Sequence, residues 1–129
     1  DLSRGLGDVY KRQGWCLSSI CMTYPVAVGL SVMHAFGYGL PVLTSDDLAS
    51  HNPEINAIRD GVNGMLYREG EVRSLADAII RLAGDPELRR RMSMAALDSV
   101  RGPDGWTVEN MVDGFVRCIE AVQSMHQRG

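Results

Sequence analysis

The chain has 129 residues, a formal net charge of −3 and 45% hydrophobic residues, which is enough for one small domain with a core. A mildly acidic chain lacks the basic surface that nucleic-acid binding requires, so we predict no nucleic-acid partner. No run approaches the roughly 18 consecutive apolar residues of a membrane-spanning helix. The three cysteines match no zinc or redox spacing and indicate reduced core residues, as is usual in the cytoplasm.

The first residues do not have the pattern of a folded domain. They contain "SRGLGDVYKRQ", which resembles a translated adapter used to build sequencing libraries. We therefore expect residues 1–13 to be non-native and residues 14–129 to be a fragment of a longer protein; a genuine N-terminal arm is the alternative. The first 13 residues carry three basic and two acidic side chains, so the remainder has a net charge of −3 − 1 = −4.

The next part of the chain predicts a strand, a helix and a second strand. The apolar run Ile20–Tyr24 is closed by Pro25 and predicts a short buried strand. A helix is predicted from Leu30 to Tyr38, and Pro41–Thr44 predicts the second strand. Because the links between these elements are short, we expect a parallel βαβ unit.

A third strand follows a polar loop and a turn. Asn52 and Pro53 begin a predicted helix, with Asn as the cap and Pro in the first position. Turn-forming residues occupy Asp60–Gly64, and Met65–Tyr67 is the third predicted strand. An unpaired apolar strand at Ile20–Tyr24 would favour aggregation, which independently suggests that the sheet continues in a longer protein.

Three amphipathic helices are predicted after the third strand, separated by Gly84 and by Gly102 with Pro103. Their predicted buried faces are Val72, Leu75, Ala76, Ile79, Ile80 and Ala83; then Leu88, Met92, Ala95 and Ala96; then Val108, Met111, Val112, Phe115, Ile119 and Val122. The predicted fold is therefore α/β, with a partial Rossmann-like parallel sheet of about three strands and flanking helices.

The loop between the first strand and its helix is the candidate binding site. Ligands bind at the carboxyl ends of parallel strands, and Gly29 lets a ligand approach the backbone. Unpaired N–H groups at the helix start suit a phosphate or a diphosphate. On the residues alone, one glycine here more commonly marks a plain turn. We predict no metal site and no cofactor, and no serine or cysteine nucleophile motif is present in the sequence.

The segment "GLSVMHAFGYGLPVLTSDD", followed by "NPEINAIRDGVNGMLY", resembles the C-terminal nucleotide-sugar-binding domain of family 4 glycosyltransferases, also called glycosyl transferases group 1. The resemblance covers Ile20 to about Val122. These are retaining enzymes in which two Rossmann-like domains face each other, the GT-B fold. The residues that carry the resemblance, in order and spacing, are Ala35, Gly39, Pro41, Val42, Glu54, Gly61, Asn63 and Gly64.

The resemblance also implies roles for individual residues. The family has two glutamates that contact the donor sugar and the ribose, and their positions hold Val26 and His34 in this chain. A carboxylate can accept two hydrogen bonds from a diol, whereas a neutral imidazole accepts one and a valine side chain accepts none. We therefore expect a variant of the family's site, in which the contacts to the donor are weaker or differently built. Gly29 and Leu30 keep the family's Gly-Leu pair, whose amides face the diphosphate or sugar. Glu54 would line the same loop, and no catalytic residue is assigned.

Purely structural roles are open for the same side chains. His34 could be a packed core histidine, and Glu54 could simply complement the positive end of a helix. We expect His51 to be a solvent-exposed loop histidine, although it lies within reach of the same strand ends.

The resemblance implies hexosyl transfer, with retention, from a nucleotide diphosphate sugar to a hydroxyl of a glycan or lipid-linked acceptor. The enzyme would be cytoplasmic, with docking at the inner membrane face through the missing domain, and the fragment alone would be inactive. The alternatives are an epimerase or phosphorylase of the same fold, a non-catalytic homologue, and a small non-enzymatic interaction domain.

Overall fold

The computed structural model describes residues 11–126, so most of the expected adapter-derived segment, Asp1–Gln13, lies outside the described residues. The described residues form a three-stranded parallel sheet with helices packed against it. In chain order the elements are α1 (described over residues 11–17), β1 (Met22–Tyr24), α2 (Ser31–Gly37), β2 (Val42–Ser45), two 3₁₀ helices (Leu48–Ser50 and Pro53–Ala57), β3 (Gly64–Tyr67), α3 (Val72–Gly84), α4 (Pro86–Arg101) and α5 (Val108–His126).

The sheet has the order β1-β2-β3, with β2 in the centre and both pairings parallel. Val42 is level with Met22 on one side and with Gly64 on the other. All four residues of β2 are buried, as expected for a central strand with both faces covered. The α/β class and the parallel sheet predicted from the sequence are therefore confirmed.

Two hydrophobic clusters lie on the two faces of this sheet. Neighbouring residues of a strand point to opposite faces, and Val42 and Leu43 accordingly belong to different clusters. The Val42 cluster includes Phe36 from α2, and the Leu43 cluster includes Leu82 from α3. Helix α4 contributes to both clusters, because it contacts both α2 and α3.

Two predicted details of the helices differ from the structure. A helix begins at Pro53 as predicted, but it is a 3₁₀ helix of five residues, and the Asn52 side chain makes no capping hydrogen bond. On α3, Ala78 and Leu82 are buried, whereas Val72 and Ile80 of the predicted face are 83% and 67% exposed. Helical spacing fixes the period of a face, but the position of α4 and β3 decides which row of side chains is covered.

Helix α5 differs most from its prediction. Its apolar side chains follow the predicted helical spacing, yet none of its 19 residues is buried. Phe115 is 65% exposed and Ile119 is 58% exposed. The predicted buried face of α5 is therefore wrong within the described residues, where no other element covers it.

Candidate functional site

The candidate site is the loop from Pro25 to Leu30, at the carboxyl end of β1. Val28 is fully buried and anchors the loop, whereas Val26 is 49% exposed and Leu30 is 71% exposed. Ala27 has a φ of 53°, in the left-handed region that L-residues other than Asn and Asp seldom adopt. The loop thus has a specific, disfavoured backbone shape immediately before Gly29.

The amides of Gly29 and Leu30 are available to a ligand. Their carbonyl groups accept hydrogen bonds from Val32 and Met33, each at 3.0 Å. Within residues 11–126, neither N–H group has an acceptor. A Cβ built on Gly29 would meet only Asn52 Nδ2 at 3.8 Å and the Ala27 carbonyl at 3.9 Å, so the backbone is open on that side.

His34 lies on the exposed side of α2, one turn after Leu30. It is not part of either hydrophobic cluster, and among the described residues its imidazole has no hydrogen-bond partner. The structure therefore places His34 at the surface near the Gly29 loop and not in the core.

The prediction for His51 is wrong, because this side chain is partly buried and hydrogen-bonded. Its Nδ1 accepts the backbone N–H of Val28 at 3.2 Å. Its Nε2 lies 3.1 Å from the carbonyl of Ser45 and 3.2 Å from Ser45 Oγ, at the end of β2. Val28 and His51 are 23 residues apart, and no short motif in the sequence signals such a contact.

Glu54 and Leu30 meet at a cavity of about 550 Å³ between the start of α2 and the start of α5. The cavity is mainly apolar, and Met33, Trp106 and Met111 also line it. Glu54 Oε2 is buried and has no hydrogen-bond partner among the described residues. Gly29 and His34 do not line this cavity, so it unites only two of the four predicted site residues, Leu30 and Glu54.

In residues 11–126, no group of three or more His, Cys, Asp or Glu side chains could hold a metal ion. None of the helices described there is long and apolar enough to cross a membrane.

Comparison with known proteins identifies the class. The family model for glycosyl transferases group 1 matches residues 16–98, well over half of the chain. The chain therefore belongs to the glycosyl transferases group 1 family, as its sequence resemblance indicated.

Individual relatives agree with this family. The chain is 33% identical over 103 residues to a D-inositol 3-phosphate glycosyltransferase of Kribbella flavida, covering 79% of this chain and 22% of the relative. It is also 33% identical over 95 residues to the Nocardia farcinica protein of the same name, covering 72% of this chain and 20% of the relative. The chain thus spans only about a fifth of the length of these relatives.

Solved structures show the same fold at lower identity. Anabaena HepE, solved in complex with UDP, has a TM-score of 0.65 and 17% identity, over 83% of this chain and 29% of that one. Sucrose-phosphate synthase from Thermosynechococcus elongatus has a TM-score of 0.57 and 20% identity, over 76% of this chain and 23% of that one. The fold is therefore that of a GT-B glycosyltransferase domain.

Proposed function

We propose that this chain is the nucleotide-sugar-binding part of a retaining glycosyltransferase. The enzyme would transfer a hexosyl unit from a nucleotide diphosphate sugar to a hydroxyl of a glycan or lipid-linked acceptor. The observation that carries the proposal is that the amides of Gly29 and Leu30, at the carboxyl end of β1, have no acceptor within residues 11–126 of this family member. The similar fold of HepE, which binds UDP, supports a nucleotide diphosphate at this edge of the sheet.

Each proposed site residue has a distinct role. The amides of Gly29 and Leu30 donate to the diphosphate or the adjacent sugar, and a hydrogen bond to a charged group contributes about 1.5–3 kcal/mol. His34 bonds one hydroxyl of the ribose or sugar. The half-exposed Val26 side chain accepts no hydrogen bond. The two amides therefore contribute a larger share of the donor affinity here than in family members that have a glutamate at this position. Glu54 lines the adjoining cavity.

We place the neutralisation of the leaving diphosphate and the binding of the acceptor outside this chain. The basic groups that neutralise the leaving diphosphate and the surface that binds the acceptor belong to the upstream part of such an enzyme. For the chain alone we therefore expect donor binding without turnover. A cytoplasmic location, with docking at the inner membrane face through the upstream domain, is part of the same proposal.

The test removes a single amide donor. Leu30 has a φ of −55°, close to the value that proline adopts, so Leu30→Pro deletes the N–H with a residue whose ring is compatible with this backbone angle. Leu30→Ala is the matched control, since it removes the same side chain and keeps the amide. We expect Leu30→Pro to weaken UDP binding in calorimetry by roughly 10- to 150-fold, the equivalent of one charge-assisted hydrogen bond.

The contrast between the two variants decides the outcome. If Leu30→Pro and Leu30→Ala bind UDP equally well, the amide does not contact the diphosphate. If the wild-type chain binds neither UDP nor GDP, the chain is not a donor-binding unit, and the role of an interaction domain is favoured instead.

A non-catalytic homologue is the second candidate, favoured by the replacement of both family glutamates by Val26 and His34. Such a protein would bind a nucleotide sugar without transferring it. Assay of a longer protein that contains this chain distinguishes the two, and the products of the same assay would reveal an epimerase or a phosphorylase.

A further inference from the structure

We propose that His51 and Asn52 are positioning residues for the Gly29 loop, which they hold in the shape that directs its amides toward the donor. The inference rests on the proposed function, because it assigns these residues to the same site. The two residues are adjacent in sequence, at the end of the loop that follows β2, and both reach across to the loop between β1 and α2.

The contacts converge on one peptide group. His51 Nδ1 accepts the N–H of Val28 at 3.2 Å, and Asn52 Nδ2 donates to the carbonyl of Ala27 at 3.4 Å. The Ala27 carbonyl and the Val28 N–H belong to the same peptide unit. Two consecutive side chains therefore contact both polar ends of that unit, which restricts its rotation.

This peptide unit needs external support. Ala27 has a φ of 53°, a conformation that is disfavoured for alanine and that persists only where surrounding contacts enforce it. Among residues 11–126, no backbone hydrogen bond to the Val28 N–H or the Ala27 carbonyl replaces the two side-chain contacts. The positive φ of Ala27 and the two side-chain contacts thus occur at the same peptide unit, as expected if the contacts stabilise this conformation.

The Asn52 side chain does not cap the helix that it precedes. It occupies the cap position of the 3₁₀ helix Pro53–Ala57, where an asparagine side chain commonly accepts a hydrogen bond from the helix. No such capping bond is present at this position, and the amide group contacts Ala27 instead. The side chain therefore serves the neighbouring loop and not its own helix.

His51 connects the loop to the most buried strand. Because Nδ1 is an acceptor, the ring proton is on Nε2, which donates to the Ser45 carbonyl at 3.1 Å. Thr44 Oγ1 lies 3.4 Å from the same nitrogen and donates to the carbonyl of Tyr24, at the end of β1. Thr44 and Ser45 are fully buried, so the imidazole is fixed to the rigid centre of the sheet.

The consequence for the site follows from chain geometry. The held peptide unit is joined through the fully buried Val28 to the unit that carries the Gly29 N–H, so fixing it limits the directions in which the Gly29 and Leu30 N–H groups point. A loop free to rotate about Ala27 would present these donors in several directions, and binding would then carry the cost of ordering them.

A pair of substitutions separates positioning from general stability. Asparagine at position 51 places Oδ1 near the site of Nδ1 and can accept the Val28 N–H, whereas glutamine reaches the position of Nε2 and leaves that N–H unpaired. In calorimetry with UDP and the 129-residue chain, we expect His51→Gln to weaken binding at least tenfold. His51→Asn should stay within about threefold of the wild type, because it retains the acceptor.

Two more variants complete the set. Asn52→Leu removes the donor to Ala27 with little change in size, and we expect it to weaken UDP binding even if His51→Gln fails to fold. Asn56→Ala is the control, since Asn56 lies in the same 3₁₀ helix and bonds only locally, to the Pro53 carbonyl at 2.9 Å. It should bind UDP as the wild type does.

A measurement without ligand tests the contact itself. The Val28 amide should be protected from hydrogen exchange in the wild type and in His51→Asn, and unprotected in His51→Gln. Rapid exchange of Val28 in the wild type would overturn the inference. If His51→Gln and the wild type bind UDP with equal affinity, the positioning role is wrong but the proposed function stands. If the wild type does not bind UDP, both the proposed function and the positioning role are wrong.

Discussion

Asn63 donates a hydrogen bond from Nδ2 to Ser99 Oγ at 2.9 Å, which joins the turn before β3 to helix α4 across 36 residues of sequence. The same Nδ2 donates to the Ala57 carbonyl at 2.9 Å, and Oδ1 accepts the N–H of Arg59 at 2.7 Å. Asn63 is fully buried, and its bonds to Ser99 and Ala57 are buried as well, whereas its bond to Arg59 is partly buried. This side chain therefore satisfies the backbone of its own turn and fixes α4 against it.

Replacing Asn63 should be costly. We expect Asn63→Ala to lower the free energy of unfolding by about 2–4 kcal/mol, because three hydrogen bonds are lost and the partners of the two buried ones stay desolvated. Urea unfolding with a fixed m-value measures the change. The exposed Asn56→Ala should change stability by less than about 0.5 kcal/mol, and a similar loss for both variants would contradict the role given to Asn63.

Gly64 should not tolerate a side chain. A Cβ at this position would clash with the Val42 carbonyl and would lie 2.9 Å from Ile58 Cγ2, at the pairing of β2 with β3. We expect Gly64→Ala to destabilise the fold by about 1–3 kcal/mol through overpacking. Gly84→Ala is the control, because a Cβ there has no neighbour within 4 Å; thermal unfolding should show no loss for it.

His34 should affect ligand binding and not stability. Because its imidazole is exposed, we expect His34→Ala to leave the melting temperature unchanged and to weaken UDP affinity by roughly 2- to 12-fold, the range of one neutral hydrogen bond. His126→Ala, also exposed but at the end of α5, should leave the affinity unchanged. If His34→Ala lowers the melting temperature but leaves UDP affinity unchanged, His34 has a structural role and does not contact the ligand.

The cysteines should differ in reactivity. Burial raises the pKa of the Cys21 thiol above its ordinary value, and a hydrogen bond with Thr23 opposes this only in part. Since the thiolate is the nucleophile, a raised pKa leaves less of it at pH 8, whereas Cys118 is exposed on α5. Iodoacetamide labelling followed by mass spectrometry should modify Cys118 well before Cys21. Labelling at equal rates at pH 8 would be inconsistent with this burial.

The sheet could be predicted because its signals are local. Short apolar runs ending at Pro25, beginning at Pro41 and following Gly64 mark the three strands. The start of α4 is equally clear in the sequence, and Asp85 Oδ1 accepts the Leu88 N–H at 2.9 Å, as the predicted cap requires. The three strands and the start of α4 are thus examples of elements that nearby residues in the sequence largely determine.

Features that depend on distant partners could not be predicted. The row Leu75, Ala78 and Leu82 is covered on α3 only because α4 and β3 lie on that side. His51 has no sequence signal for its bond to Val28, because the two residues, 23 positions apart, are brought together by the pairing of β2 with β1. The binding roles of Gly29, Leu30, His34 and Glu54 stay predictions until a ligand is tested.

The exposed face of α5 has a thermodynamic consequence. A helix gains most of its stability in a protein from packing, and an isolated helix of about this length is only marginally stable in water. Helix α5 has 19 residues, none of them buried, and Gly114 lies within it. We therefore expect circular dichroism to show two stages on heating, in which α5 loses its helicity gradually before the sheet and the other helices unfold cooperatively.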